Sequence, residues 1–220
     1  GETPLLSLDA LPSRSAAESP ARPFEWRNRR VKEPPVQWFP GGRSLLISEG
    51  GDLFRYEFAS ESWTRLTSTP EEEGDPKLSP DGTRISFRRG ADLYCMEIST
   101  RRVTRLTADG SETVGNGRLD WVYPEELDLG TAHWWSPDSR LIAYLQFDVS
   151  RQPLYPHADL LAGVPLYEPQ RYPSAGQPNA RVRLGVVRPS GGRTRWLGVE
   201  SGEDALLARV QWHPQGQSLF

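Results

Sequence analysis

Apolar and polar residues alternate along several short segments of this chain, and the alternation recurs at a fixed interval. Such alternation is typical of strands that bury one face. Each matched segment is followed by its counterpart 40 residues later: 36–47 with 76–87, 51–58 with 91–98, and 63–67 with 103–107. The opening of the unit returns at 134–144 and at 210–220, after longer spacings. Three segments in one register predict a structural repeat.

Each repeat contains a strand, a turn of the Pro-Asp-Gly type, a second strand, a Gly-Asp turn and a third strand. This order predicts an antiparallel meander. A period near 40 residues is typical of the four-stranded blades of a β-propeller. A flat sandwich could use such strands but would not need the register to recur. We therefore predict an all-β fold, with a partial β-propeller over residues 36–220 and an arm or leader over residues 1–35, which are rich in Pro, Ser and Arg.

Composition narrows the range of partners. The formal net charge is −3, and no run of Lys and Arg is interleaved with aromatic residues, so we expect no nucleic-acid partner. No stretch approaches the roughly 20 apolar residues of a membrane span, and the amino terminus shows no signal pattern, so an export signal was removed or never present.

The position of Cys95 within an apolar strand pattern predicts a buried, inert thiol. The three histidines, at 133, 157 and 213, lack ligand spacing, so we expect no metal or other cofactor.

Two insertions interrupt the repeats, and propellers commonly carry function on such loops. One insertion lies between the strand ending at Thr107 and the one that begins at Trp134. The other runs from Asp148 to Ala180 and contains six prolines, which favours a long excursion from the blade. We expect Trp134 and Trp135 to anchor the first insertion to the core, since burying two indoles is strongly favourable.

The first insertion contains the segment 119–128, LDWVYPEELD, in which two adjacent carboxylates follow an aromatic pair. Pro124 suits the first position of a helix, which would place Glu125 and Glu126 in the first turn. Successive helical side chains point about 100° apart, so both carboxylates could reach one small cation. The alternative is a solvated acidic turn, because Asp and Glu are common at helix starts for capping reasons alone.

The residues at this point resemble a known family: the amino-terminal β-propeller of dipeptidyl peptidase IV and its bacterial relatives, in the prolyl oligopeptidase group of serine peptidases. The segments that carry the resemblance are DWVY at 120–123 followed by the Glu pair, WWSPD at 134–138, IAYLQFD at 142–148, YPSAGQPN at 172–179 with VRLGVV at 182–187, and LLARVQW at 206–212.

The resemblance implies that Glu125 and Glu126 bind the free α-amine of a peptide and so measure off two residues before the cut. The family stretch has three consecutive Glu residues, of which the second and third bind the amine. Here Pro124 replaces the first, so the functional positions are retained. The family also supplies an Arg to the peptide backbone, for which Arg27, Arg29 or Arg30 are conceivable without a motif to choose among them.

The resemblance further implies an eight-bladed ring, of which this chain would hold about four to five blades. It implies a catalytic α/β-hydrolase domain with a Ser on a G-x-S-x-G elbow. That motif is absent from the 220 residues, so we expect the chain alone to hydrolyse no peptide. The parent would release amino-terminal X-Pro or X-Ala dipeptides, form a homodimer and be periplasmic or secreted. A non-enzymatic binding propeller, a pseudo-peptidase scaffold and a tripeptidyl-releasing relative remain alternatives.

Overall fold

The computed structural model describes residues 36–156, 158–159, 166–167, 169–199 and 205–220, together with Leu6 and Leu11. These residues contain seventeen strands and one short helix, which confirms the all-β prediction. The basic cluster with Arg27, Arg29 and Arg30 lies outside the described residues, and so does most of the predicted arm. Leu6 packs against the first sheet. The boundary between residues 35 and 36 remains a prediction.

Thirteen of the strands form three large antiparallel sheets that follow the chain in order, and the other four form two two-stranded sheets. The first contains β1 (Val36–Trp38), β2 (Ser44–Glu49), β3 (Asp52–Glu57) and β4 (Ser62–Arg65). The second contains β5 (Gly74–Leu78), β6 (Arg84–Arg89), β7 (Asp92–Glu97) and β8 (Val103–Arg105). The third contains β10 (His133–Trp135), β11 (Ile142–Asp148), β16 (Arg181–Val187) and β17 (Arg195–Trp196), and β9 (Val114–Asn116) pairs with the end of β11.

The 40-residue repeat of the sequence is also the repeat of the structure. Leu45 pairs with Tyr56 in the first sheet, and Ile85 pairs with Met96 in the second, each partner 40 residues further on. The turn chemistry recurs too, because Asp81 Oδ1 accepts hydrogen bonds from the Ser79 hydroxyl at 2.6 Å and the Thr83 amide at 3.0 Å. Such local bonds fix the turn that joins two strands of a blade.

A second polar tie recurs between the later strands of each sheet. In the first sheet, Arg65 forms an ion pair with Asp52 at 2.6 Å, and the Thr67 hydroxyl accepts from the Leu53 amide at 2.8 Å. Arg105 and Asp92 form the corresponding 2.6 Å pair in the second sheet. These contacts satisfy polar groups at the edge of each sheet, where an unpaired group would be costly.

Apolar layers fill the space between the sheets. Leu46 and Leu53 of the first sheet meet Ile85 and Phe87 of the second. Cys95 of the second sheet packs in a cluster with Trp135, Ile142 and Tyr144 of the third. Burial raises the pKa of the Cys95 thiol to about 12, which confirms the prediction of a buried, inert thiol.

The two insertions account for the longer spacings. The second insertion forms nested ladders, with β12 (Leu154–Tyr155) on β15 (Gln170–Arg171) and β13 (Ala158–Asp159) on β14 (Leu166–Tyr167). A bridge between Trp212 and Leu219 opens a fourth repeat. The described residues thus hold three large sheets and the opening of a fourth repeat, which agrees with the predicted incomplete propeller of about four to five blades.

No helix among the described residues is long and apolar enough to cross a membrane. The indoles that were predicted to anchor the first insertion do contact the core. Trp135 is buried and donates from Nε1 to the Lys77 carbonyl at 3.1 Å, which ties the third sheet to the second. The Trp134 carbonyl accepts from the Trp212 indole at 3.1 Å, which ties the same strand to the opening of the next repeat.

Candidate functional site

The acidic pair lies on α1 (Val122–Leu127), a six-residue helix in the first insertion between β9 and β10. The prediction that Pro124 begins this helix is wrong: the helix begins at Val122, and Pro124 occupies its third position. The N-cap is Trp121, and the preceding Asp120 stabilises the first turn, because its Oδ1 accepts a hydrogen bond from the Tyr123 amide at 3.2 Å. Pro is tolerated there, since amides of the first turn lack helical partners. Glu125 remains in the first turn and Glu126 lies beyond it.

Tyr123 anchors the helix to the core of the third sheet. Its side chain is fully buried, and its ring meets Phe147 of β11 edge-on with centroids 4.7 Å apart. Its hydroxyl accepts a hydrogen bond from the Leu207 amide at 2.9 Å. Burial raises the pKa of Tyr123 to about 12, so the hydroxyl stays protonated at neutral pH. One aromatic residue thus connects the helix to the sheet and to the following repeat.

The end of the helix is held by backbone and side-chain contacts. Asp128 adopts a left-handed conformation, with φ of 51°, and donates its amide to the Tyr123 carbonyl. The Leu129 amide reaches the same carbonyl at 3.2 Å. Arg209 donates from Nη1 to the Leu127 carbonyl at 2.9 Å. The two carboxylates therefore sit on backbone that is fixed at both ends.

The two carboxylates differ in their exposure. Glu125 is half-buried, whereas Glu126 is exposed and makes no hydrogen bond or ion pair with any other described residue. Adjacent carboxylates repel each other, and a bound ammonium ion relieves that repulsion. Water screens an exposed group more strongly, so we expect Glu125 to make the stronger ion pair with such a ligand. Ionised carboxylates accept hydrogen bonds and donate none, as a ligand for a protonated amine must.

A cavity of about 600 Å³ lies beside the start of the helix. Its wall includes Asp120, Trp121 and Pro124, but neither Glu125 nor Glu126. Burial raises the pKa of Asp120, although the Tyr123 amide and the Gln152 side chain oppose the shift by donating to the carboxylate. Sequence reasoning missed this cavity. It assembles from the second sheet, the third sheet and both insertions, and no local motif marks such an assembly.

Three arginines line the same cavity: Arg88, Arg118 and Arg171. Arg171 lies on β15 of the second insertion and donates from Nη1 to the Gln152 carbonyl at 2.9 Å. None of the three was a candidate for the Arg that the family resemblance implied, because they are distant in sequence and carry no motif. Arg27, Arg29 and Arg30 lie outside the described residues, so their assignment to the site remains a prediction.

A buried polar cluster joins the second and third sheets. The His133 Nε2 atom lies 3.1 Å from the Ser86 hydroxyl, and Nδ1 lies 3.3 Å from Asp75 Oδ2. This is the order of a Ser-His-Asp triad, but Ser86 and His133 have no exposed surface. A nucleophile must reach its substrate, so the cluster is structural. The Thr131 hydroxyl donates to Asp75 at 2.6 Å, and Lys77 forms an ion pair with the same carboxylate at 3.1 Å.

Comparison with known proteins identifies a family model and several relatives that match this chain. A model of the family described as "Dipeptidyl peptidase IV (DPP IV) N-terminal region" matches residues 43–220. "Probable dipeptidyl-aminopeptidase B" of Talaromyces marneffei is 29% identical over 222 residues, which cover 87% of this chain and 25% of the relative. "Probable dipeptidyl peptidase 4" of Aspergillus flavus is 32% identical over 165 residues, which cover 69% of this chain and 21% of the relative. The chain therefore spans about a quarter of these relatives' length.

A solved structure supports the same assignment at the level of the fold. The crystal structure of Porphyromonas gingivalis dipeptidyl peptidase 4 matches with a TM-score of 0.75 at 22% identity, over 86% of this chain and 30% of that one. The three antiparallel sheets are therefore blades of a β-propeller. The family model matches residues 43–220, which is most of this chain. The chain therefore belongs to the family of the dipeptidyl peptidase IV N-terminal region.

Proposed function

We propose that this chain is the substrate-gating and amine-recognition domain of a serine exopeptidase that releases amino-terminal dipeptides, with Pro or Ala as the second residue. Glu125 and Glu126 bind the protonated amine of the peptide. The names of the relatives describe dipeptidyl peptidases and support a peptidase as the parent protein. The catalytic α/β-hydrolase domain is then a partner of this chain in the parent, and the homodimer and the periplasmic or secreted location remain predictions.

The observation that carries the proposal is the support given to an otherwise marginal helix. Six residues form too few hydrogen bonds to stay helical alone in water. Here the side chains of Asp120, Tyr123 and Arg209 hold the helix at its start, middle and end. An acidic turn with only a capping role would not need contacts to distant parts of the chain. The pair is therefore presented on fixed backbone, as recognition of a small charged group requires.

A requirement for a free amine tests the proposal. The full-length protein should hydrolyse Gly-Pro-p-nitroanilide and bind the dipeptide Gly-Pro competitively, whereas N-acetyl-Gly-Pro brings no charge to the pair. Loss of the ion pair should weaken binding of the acetylated dipeptide by about 30-fold or more. The inhibition constants of the two dipeptides measure this directly. Equal constants would contradict amine recognition, and absence of hydrolysis by a folded full-length protein would favour a non-enzymatic propeller.

A further inference from the structure

The segment 205–210 leads from the third sheet into the fourth repeat, yet it contacts the helix that carries the acidic pair. The Leu207 amide donates to the Tyr123 hydroxyl at 2.9 Å. Arg209 donates from Nη1 to the Leu127 carbonyl at 2.9 Å and to its neighbour, the Ala208 carbonyl, at 2.6 Å. Val210 is buried in the same apolar cluster as Tyr123. The helix is therefore supported by residues more than 80 positions later in the chain.

The contact of Arg209 acts where a short helix is weakest. The last carbonyls of a helix have no intrahelical partner, and a cationic side chain there supplies both a donor and a favourable charge. Described residues within the last turn of α1 include no basic side chain, so the cation comes from elsewhere in the chain. The bonded carbonyl belongs to Leu127, the residue that directly follows Glu126.

We propose that Arg209 is a positioning residue for the acidic pair: by holding the Leu127 carbonyl it fixes the backbone from which Glu126 projects. This inference rests on the proposed function of the pair. It also makes the amine site dependent on the repeat that follows it, so that two successive blades together define where the substrate's amine is held. Arg209 itself need not touch the substrate.

Arg209→Ala in the full-length protein tests the inference. The substitution removes one charge-assisted bond at a solvent-exposed position, so we expect KM for Gly-Pro-p-nitroanilide to rise about five- to tenfold, with kcat within about twofold. Arg209→Lys should restore part of the loss, because it keeps the charge at the helix end. Arg140→Ala is a matched control: Arg140 lies in the turn between β10 and β11 of the third sheet, and its side chain is 84% exposed. It should leave KM unchanged.

A double-mutant cycle separates positioning from general stability. If Arg209 acts through Glu126, then Arg209→Ala should raise KM far less in a Glu126→Gln background than in the parent. An unchanged KM in Arg209→Ala, with a raised KM in Glu126→Gln, would overturn the inference and leave the proposed function standing. Equal effects of Arg209→Ala in both backgrounds, with a lowered melting temperature, would also overturn it. If Glu126→Gln and Glu125→Gln changed nothing, the proposed function and this inference would fail together.

Discussion

Glu125→Gln and Glu126→Gln in the full-length protein should each lower kcat/KM for a free-amine dipeptidyl substrate by about 30-fold or more. Leaving a bound ammonium without one partner of its ion pair costs about 2–5 kcal/mol, and about 1.4 kcal/mol corresponds to one decade. Glutamine keeps the size of the side chain and removes only its charge. The half-buried Glu125 should show the larger effect, because water screens the exposed Glu126.

The double substitution should cost less than the sum of the single ones, since both side chains hold one cation. Glu49→Gln provides a matched control, because Glu49 is an exposed acid at the end of β2 in the first sheet. Its kcat/KM should equal that of the parent. If both Gln variants of the helix retained parental kcat/KM, the pair would be a solvated acidic turn and amine recognition would have to be assigned elsewhere.

His133→Gln should destabilise the protein at pH 8 and also remove part of its sensitivity to acid. The substitution disturbs contacts with Ser86 and Asp75 in a fully buried cluster, for which we expect a loss of about 1–3 kcal/mol in the free energy of unfolding. Urea unfolding at a series of pH values measures both effects. The comparison at pH 8 reports the lost contacts alone, because an imidazole is neutral there in both the folded and the unfolded chain.

The direction of the acid effect follows from the pKa of His133. Burial lowers this pKa below 6.5, although Asp75 opposes the shift and Lys77 and Arg88 add to it. Below pH 6.5 the unfolded chain binds a proton that the folded chain does not, so stability falls as pH falls, by at most about 1.4 kcal/mol per pH unit. The variant should lack this slope between pH 6.5 and 5. An identical slope in both proteins would contradict the lowered pKa, because a histidine contributes to the slope only if its pKa differs between the folded and unfolded chains.

Asp75 acts in a separate pH range. Burial raises its pKa, but His133, Lys77 and Arg88 outweigh that effect and lower the value from 3.8 to about 2. A carboxyl with a lowered pKa contributes stability that is present above its unfolded value and lost as pH falls toward the folded one. That loss lies between about pH 4 and pH 2, below the window in which His133 titrates.

The blades could be predicted from sequence because their determinants are local. A strand of alternating residues followed by Asp81-Gly82 gives the same turn wherever it occurs, and the 40-residue offset reappears as the pairs Leu45 with Tyr56 and Ile85 with Met96. Both pairs join residues that are 11 positions apart. The two insertions could be located as well, because they interrupt the repeat.

The site was predictable only in part. The adjacency of Glu125 and Glu126 is visible in sequence, but the start of the helix at Val122 depends on the hydrogen bond to Asp120 and on the burial of Tyr123 against Phe147. The local preference of proline for the first helical position predicted a helix start at Pro124. The contacts of Asp120 and Tyr123 instead place the start at Val122. The support from Arg209 is 82 positions from its acceptor, and the cavity beside Asp120 has walls from distant segments. No short motif records such contacts.

A crystal structure of the full-length protein with a bound dipeptide tests the central claim most directly. We expect the ammonium group of Gly-Pro to lie about 2.7–3.2 Å from a carboxylate oxygen of Glu125 and from one of Glu126. The competing position is the cavity of about 600 Å³, whose wall includes the carboxylate of Asp120 but neither glutamate. An ammonium bound at Asp120, with both glutamates facing solvent, would contradict amine recognition by Glu125 and Glu126.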